Sequence, residues 1–259
     1  MSRKMCMKPH LINYPYRGSM YCGTSNIVLP LRNKTQYPEE FSGSSRLEYY
    51  AALFNSIEIN STFYKLPQPT TVIKWASLVP RDFRFTVKLS KSLTHQKDLV
   101  YNLADVQKFF SVMDGFAQKK GCLLVQFPAG IKADLSDRFE DLLDSITQYN
   151  RGWQVAVEFR DKGWYHDRIY RLLESANCCL VEQDMPKSAT PQNIPLSSVR
   201  YLRFHGPCGN YHGCYTDEYL NNVSQKVKKV EAAGSTVYAY FNNTIGDGVH
   251  NAVSLQRFF

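Results

Sequence analysis

Short runs of β-branched and aromatic residues alternate along the chain with longer stretches in which apolar residues recur at i, i+3, i+4 and i+7. The short runs fall at 20–23, 56–60, 84–88, 123–127, 154–159, 179–183, 200–205 and 236–242, and their length and alternation predict eight strands. The helical period is carried by Leu47, Tyr50, Ala51 and Phe54, by Val106, Phe109, Phe110 and Met113, by Phe139, Leu142, Leu143 and Ile146, and by Ile169, Leu172, Leu173 and Ala176. One more helix is expected over 217–233, with Thr216 as its N-cap, acids in its first turn, Lys228 and Lys229 near its end and Gly234 as its stop.

Strands alternating with helices imply parallel pairing, because each helix returns the chain to the same end of the sheet. Eight repeats in roughly 240 residues predict an α/β fold, a (β/α)8 TIM-like barrel in a single domain. An open doubly wound sheet is the alternative, but the first strand runs into Gly23, Thr24, Ser25 and Asn26 in place of a glycine-rich dinucleotide loop. No repeat, linker or composition shift divides the chain, so the barrel is assigned to 19–259, with 187–195 as a loop inside it and 1–18 as a basic N-terminal extension.

The outward faces of barrel strands lie under helices, so charged residues within strands are expected to face the bore or the mouth. Ile57 and Ile59 oppose Glu58 and Asn60; Phe85 and Val87 oppose Thr86 and Lys88; Val125 and Phe127 oppose Gln126. Val157 and Phe159 likewise oppose Glu158 and Arg160, Leu202 and Phe204 oppose Arg203 and His205, and Ala239 and Phe241 oppose Tyr240 and Asn242. The polar members gather at C-terminal strand ends, where a barrel of this kind assembles its active site. A purely structural reading pairs Glu58 with Lys88, and Glu158 with Arg160 or Arg203, across a polar interior.

Composition narrows the classes. A hydrophobic share of 44% and a charged share of 21% argue against disordered or fibrous chains. The longest apolar stretches, at 122–125 and 178–181, are far short of the ~20 residues of a membrane span. With no apolar signal core after the basic start, the expected location is cytoplasmic, and seven scattered cysteines suit reduced thiols. Four of the eight surplus positive charges, Arg3, Lys4, Lys8 and Arg17, lie in the acid-free extension, which leaves +4 for the remainder. That is a weak footprint for nucleic acid.

Several segments together resemble the YecE-like family, also called domain of unknown function seventy-two. They are Gly23, Thr24 and Ser25; Tyr49, Tyr50 and Ala51; the run from Phe54 through Glu58, Asn60 and Phe63 to Tyr64, with Pro67; Phe85 to Lys88 with Thr94 and His95; and Leu124 to Pro128. Further matches are Val157 to Arg160 with Trp164, Arg203 to Gly206, and Ala239 to Asn243 leading to Asn251 and Ala252, so the likeness covers about residues 20–255. The resemblance implies a TIM barrel similar to xylose isomerase and to the endonuclease that cuts at abasic sites, without an assigned activity. Where that family continues Gly-Thr-Ser with Gly-Trp, this chain has Asn26 and Ile27.

Arg160, Arg203 and Lys88 suit an anion clamp, with Asn60, His95, Gln126 and Asn242 as further binding residues. Glu58 and Glu158 offer a base, an acid or a metal ligand, and His205 or His95 can shuttle protons near neutrality. The leading expectation is therefore an enzyme-like site for a phosphorylated or carboxylated small molecule, with Glu58, Glu158 and His205 catalytic in proton transfer or hydrolysis. Nucleic-acid binding, with Phe63, Tyr64, Trp164 and Tyr211 stacking on bases, is the first alternative. A non-catalytic ligand sensor or scaffold is the second.

A divalent metal on Glu58, Glu158, Asp184 and His205 is considered and not favoured, since this mouth has fewer acids and histidines than multi-metal barrels use. Without a Rossmann fingerprint or P-loop, nicotinamide and ATP-type cofactors are not expected. Gly206, Gly209 and Gly213 mark a loop whose amides are a candidate phosphate cradle, its Cys208, His212 and Cys214 not matching zinc spacing. Cys22 reads as a small core residue.

Overall fold

A computed structural model describes residues 20–31, 33–195 and 197–259; the basic extension 1–18 lies outside the described residues. Eight strands are present: β1 (Met20–Thr24), β2 (Ser56–Ile59), β3 (Arg84–Lys88), β4 (Lys120–Phe127), β5 (Gln154–Phe159), β6 (Cys179–Gln183), β7 (Val199–Phe204) and β8 (Thr236–Phe241). All neighbours pair in parallel, in the order β1-β8-β7-β6-β5-β4-β3-β2. The expected (β/α)8 barrel is the fold.

The barrel closes between β1 and β2 through side chains more than through a ladder. A single parallel bridge joins Ser25 to Glu58, and the Asn26 amide donates to the Glu58 carbonyl at 2.7 Å. Below it, Asn55 stitches the two strands, accepting from the Cys22 amide at 2.8 Å and donating to the Met20 carbonyl at 2.9 Å. The Tyr50 hydroxyl accepts from the Thr24 amide at 2.7 Å and donates to the Ser56 carbonyl at 3.2 Å. Gly23 makes this approach practicable: a Cβ there would stand 2.0 Å from the Ser56 carbonyl oxygen.

The helices are α1 (Arg46–Leu53), α2 (Ser61–Tyr64), α3 (Pro69–Ser77), α4 (Lys91–Thr94), α5 (Leu103–Met113), α6 (Ser136–Tyr149), α7 (Asp167–Ser175), α8 (Asp217–Ala232) and α9 (Gly248–Arg257). The sequence signals for the longer ones are realised. Ser45 and Glu48 form a capping box on α1, and Thr216 caps α8 by accepting from the Tyr219 amide. Helix α3 escapes the periodicity reading because Thr70, Thr71, Val72 and Ile73 look like a strand; Pro69 at its first turn and burial of Val72 make it helical.

One repeat departs from the scheme. The chain passes from β6 to β7 without a helix among the described residues, through the expected proline-bearing loop. On the outer face of these two strands, opposite in parity to Val181 and Tyr201 of the bore, Glu182 and Arg200 pair with each other, with the Arg200 Nε at 2.5 Å. The expectation that charged strand residues face inward fails here because each of the two supplies the other's counter-charge.

Two apolar layers hold the barrel. The larger packs the outward strand faces against the helices, with Phe127, Phe139, Phe159 and Trp164 mutually stacked or edge-on. The smaller fills the lower bore with Cys122, Leu124, Ala156, Cys179, Val181, Tyr201, Tyr238 and Tyr240. Tyr240 reaches across this layer, its hydroxyl 2.6 Å from Ser56 Oγ and 2.7 Å from Thr86 Oγ1. The bore is thus closed beneath, and polar side chains above this floor face the mouth only.

Candidate functional site

The parity of each strand sets the layer above that floor. Because Tyr201 fills the bore, Arg203 two residues later also points inward, and the same period places Glu58 above Ser56 and Glu158 above Ala156. Arg203 sits between the two acids. Its Nε donates to Glu58 Oε2 at 2.9 Å and its Nη2 to Glu58 Oε1 at 2.8 Å, while its Nη1 donates to Glu158 Oε2 at 2.9 Å. Glu58 also accepts from Ser25 Oγ at 2.6 Å, Tyr201 Oη at 2.5 Å and Asn60 Nδ2 at 3.2 Å. All three charged groups are buried.

Burial works against the Glu58 carboxylate, and the charge and hydrogen bonds of Arg203 with those of Ser25 and Tyr201 overcome it, so its pKa lies below the ordinary value. Glu158 is held well below the carboxylate range: burial opposes ionisation, and Arg160 followed by Arg203 outweighs it. Glu158 Oε1 accepts from Arg160 Nε in a close ion pair. The sequence expectation pairing Glu58 with Lys88 is corrected: Arg203 takes Glu58, and Arg160 and Arg203 share Glu158.

Arg160 continues outward, its Nη2 donating to His205 Nε2 at 2.9 Å. Arginine has no acceptor, so the imidazole proton lies on Nδ1, which faces Asp184 Oδ1 at 3.3 Å. Burial keeps this ring's pKa below the ordinary value even though Asp184 favours the charged form. Asp184 is itself tied down, accepting from the His205 amide at 2.8 Å and from the Tyr215 hydroxyl. His205 is thus a buried neutral spacer between Arg160 and Asp184.

At the rim the arrangement changes. Lys88, half-buried at the end of β3, donates to Gln126 Oε1 at 2.7 Å and lies 4.0 Å from the centre of the Phe63 ring. It has no carboxylate within ion-pair distance among the described residues. Burial, reinforced by Arg203, brings its pKa down to about 8. His95 packs edge-on against the same Phe63 ring, 4.7 Å between centroids, with Nδ1 2.8 Å from Thr94 Oγ1. Burial and the charge of Lys88 lower its pKa to about 4. Asn60 Oδ1 is buried and accepts no hydrogen bond among the described residues.

Asn242, at the end of β8, is partly exposed and its backbone amide donates to the Phe204 carbonyl at 2.7 Å. Two amides of the expected phosphate cradle are already engaged: that of Gly206 donates to Tyr215 Oη at 2.6 Å and that of Gly209 to the Gly206 carbonyl at 2.8 Å. Of the aromatics proposed to stack on bases, Trp164 and Phe63 are buried, and Trp164 spends its indole N–H on the Ile131 carbonyl at 2.9 Å. Tyr64 and Tyr211 are exposed. Among the described residues, no group of three or more His, Cys, Asp or Glu side chains is arranged to hold a metal ion. Cys22 is buried in the core, as its sequence setting suggested.

Ser25, Tyr201 and Asn26 belong to the site although the sequence reading gave them no part in it. Tyr201 was reachable, since it shares the parity of Arg203. Where the family has Gly, Asn26 adopts φ +62, a left-handed conformation that asparagine tolerates better than other non-glycine residues. Its Oδ1 accepts from the Asn60 amide at 3.0 Å, which anchors the turn after β2 to the turn after β1.

The family model described as protein of unknown function DUF72 matches residues 21–259. The UPF0759 protein YunF of Bacillus subtilis is 24% identical over 240 residues, covering 81% of this chain and 84% of that protein. The UPF0759 protein YecE of Escherichia coli K12 is 33% identical over 114 residues, a stretch that spans 44% of this chain and only 42% of that relative. Among solved structures, a DUF72 family protein of Thermotoga maritima superposes with a TM-score of 0.76 at 27% identity, over 92% of this chain and 98% of that one. One from Enterococcus faecalis gives 0.75 at 20% identity, covering 92% and 94%. No described helix is long and apolar enough to cross a membrane.

Proposed function

The chain belongs to the DUF72 family, whose function is unknown, and from that premise we propose that it binds a small hydroxylated anion, phosphorylated or carboxylated, at the C-terminal mouth of its barrel. The observation that carries this reading is Lys88. Within the bore two carboxylates meet three cations, and both carboxylates are already held by Arg203 and Arg160. Lys88 is left with a neutral amide and an aromatic face. Asp184 does not offset it, being separated from Arg160 by the His205 ring and bound to Tyr215.

A half-buried ammonium without a counter-ion is costly. An anion arriving from solvent supplies that counter-ion, while Arg160 Nη1, without a hydrogen bond among the described residues, offers it a second donor. The buried Asn60 Oδ1 would accept from a hydroxyl on the same molecule. In this reading Glu58, Glu158 and His205 are positioning residues, since both carboxylates and the His205 Nε2 are engaged in holding the arginines.

The test is thermal melting with inorganic phosphate, glycerol 3-phosphate and lactate, against glycerol as a neutral control. A hundredfold excess over Kd is expected to raise Tm by about 5–10 °C, and Lys88→Met is expected to abolish the rise. Equal responses to glycerol and to the anions, or an undiminished rise in the variant, would remove the proposal.

A further inference from the structure

Resting on the anion-binding reading, we infer that Lys88 is a reactive amine that captures an aldehyde or ketone bearing a carboxylate or phosphate as a protonated imine. A lysine attacks carbonyl carbon only when unprotonated, which is favoured by a desolvated position, neighbouring positive charge and the absence of a carboxylate in ion-pair contact with the ammonium. Lys88 meets all three conditions. It is half-buried at a strand end, Arg203 and Arg160 both act against its protonation, and the two nearby acids, Glu58 and Glu158, are occupied by those arginines. The groups that favour the cation are Glu158 and Glu58, acting at a distance and outweighed by burial and Arg203, and the Phe63 ring, which acts weakly.

The partner groups suit both forms of the nitrogen. Gln126 Oε1 needs only one N–H, which the neutral amine still donates, so its lone pair is free without breaking that hydrogen bond. The other half-buried or paired lysines differ. Lys119 spends its ammonium on the Ala76 and Val79 carbonyls, and Lys120 and Lys132 are paired with Asp114 and Asp161. His95, on the same Phe63 ring, is neutral and adds no competing charge near neutral pH.

The step balances without an oxidant or reductant. The Lys88 lone pair forms the N–C bond as the carbonyl π pair moves to oxygen, and a proton passes from nitrogen to that oxygen to give a carbinolamine. Nitrogen then expels the hydroxyl, which leaves as water after taking one proton from solvent. The product is a C=N bond whose nitrogen carries one hydrogen and one positive charge. The site therefore keeps its positive charge, and the carboxylate or phosphate of the captured molecule remains its counter-ion beside Arg160.

The experiment incubates the full chain with pyruvate or dihydroxyacetone phosphate and sodium cyanoborohydride, followed by intact-mass analysis and peptide mapping. Lactate and glycerol 3-phosphate, which lack an aldehyde or ketone group, are tested in parallel by melting. The expected result is one adduct, of the probe's mass less one oxygen atom, at Lys88, in at least about tenfold preference over exposed lysines at pH 7.5. Lys88→Arg, which keeps a cation, is expected to bind lactate but to form no such adduct. Binding of lactate or glycerol 3-phosphate without preferential labelling of Lys88 in the unsubstituted chain would overturn the imine and leave the anion site standing. If none of these anions binds and no adduct forms, the anion-binding reading fails and this inference fails with it.

Discussion

Arg203 on β7 grips Glu58 on β2 from across the bore, Nε to Oε2 at 2.9 Å and Nη2 to Oε1 at 2.8 Å, in the two-point geometry that suits guanidinium and carboxylate. Both groups are buried, so each is the other's main compensation for lost water. Glu58→Gln is expected to cost about 3–5 kcal/mol by leaving Arg203 partly uncompensated. Tyr201→Phe, which removes one 2.5 Å hydrogen bond to the same carboxylate, is expected to cost less, about 1.5–3 kcal/mol. Urea unfolding of both variants checks the order.

Lys88 gives stability a pH dependence of defined sign. Its pKa is about 8 in the fold against an ordinary 10.5, so between those values the unfolded chain binds a proton that the folded chain lacks. The penalty is fully present below pH 8 and is relieved as pH rises toward 10.5, by at most about 3 kcal/mol. Relative to Lys88→Met, the unsubstituted protein should therefore gain stability across that window. Chemical denaturation at a series of pH values, read as the difference between the two proteins, tests this; a flat difference would refute it.

His95 is coupled to the same charge. Its pKa of about 4, against 6.5, follows from burial and from Lys88. The unfolded chain binds the extra proton between these values, so the His95 contribution is intact above pH 6.5 and is lost as pH falls to 4. Lys88→Met is expected to raise the His95 pKa while leaving it below 6.5, because burial persists. Following the imidazole Cε1 proton resonance through a titration measures this.

Gly23 marks the closing seam. A methyl group there would meet the Ser56 carbonyl oxygen at 2.0 Å and the Tyr50 hydroxyl oxygen at 2.6 Å, and the first of these is backbone. Gly23→Ala should force β1 away from β2 and lower stability by more than about 3 kcal/mol. Gly130→Ala, where nothing lies within 4 Å of the added carbon, is the control and should stay within about 0.5 kcal/mol. Thermal melting of the pair separates the two outcomes.

The sequence by itself determined the barrel, its eight strands and which strand residues face the bore at Glu58, Lys88, Glu158 and Arg203. These depend on periods of two and 3.6 residues, which burial of one face imposes locally. It left undecided which charge meets which. In register, Glu58 lies beside Thr86 on β3 and Lys88 lies one level higher beside Leu124, so the neighbour suggested by proximity of strands is displaced toward the mouth. Arg203 reaches Glu58 only because the sheet closes on itself, an event whose register no local pattern encodes. The same holds for Glu182 and Arg200, whose pairing on the outer face follows from the adjacency of β6 and β7 in the sheet. Tertiary structure alone decided that the two acids would be spent on arginines and that Lys88 would stand without one, because pairing of buried charges follows distance across the bore and not distance along the chain.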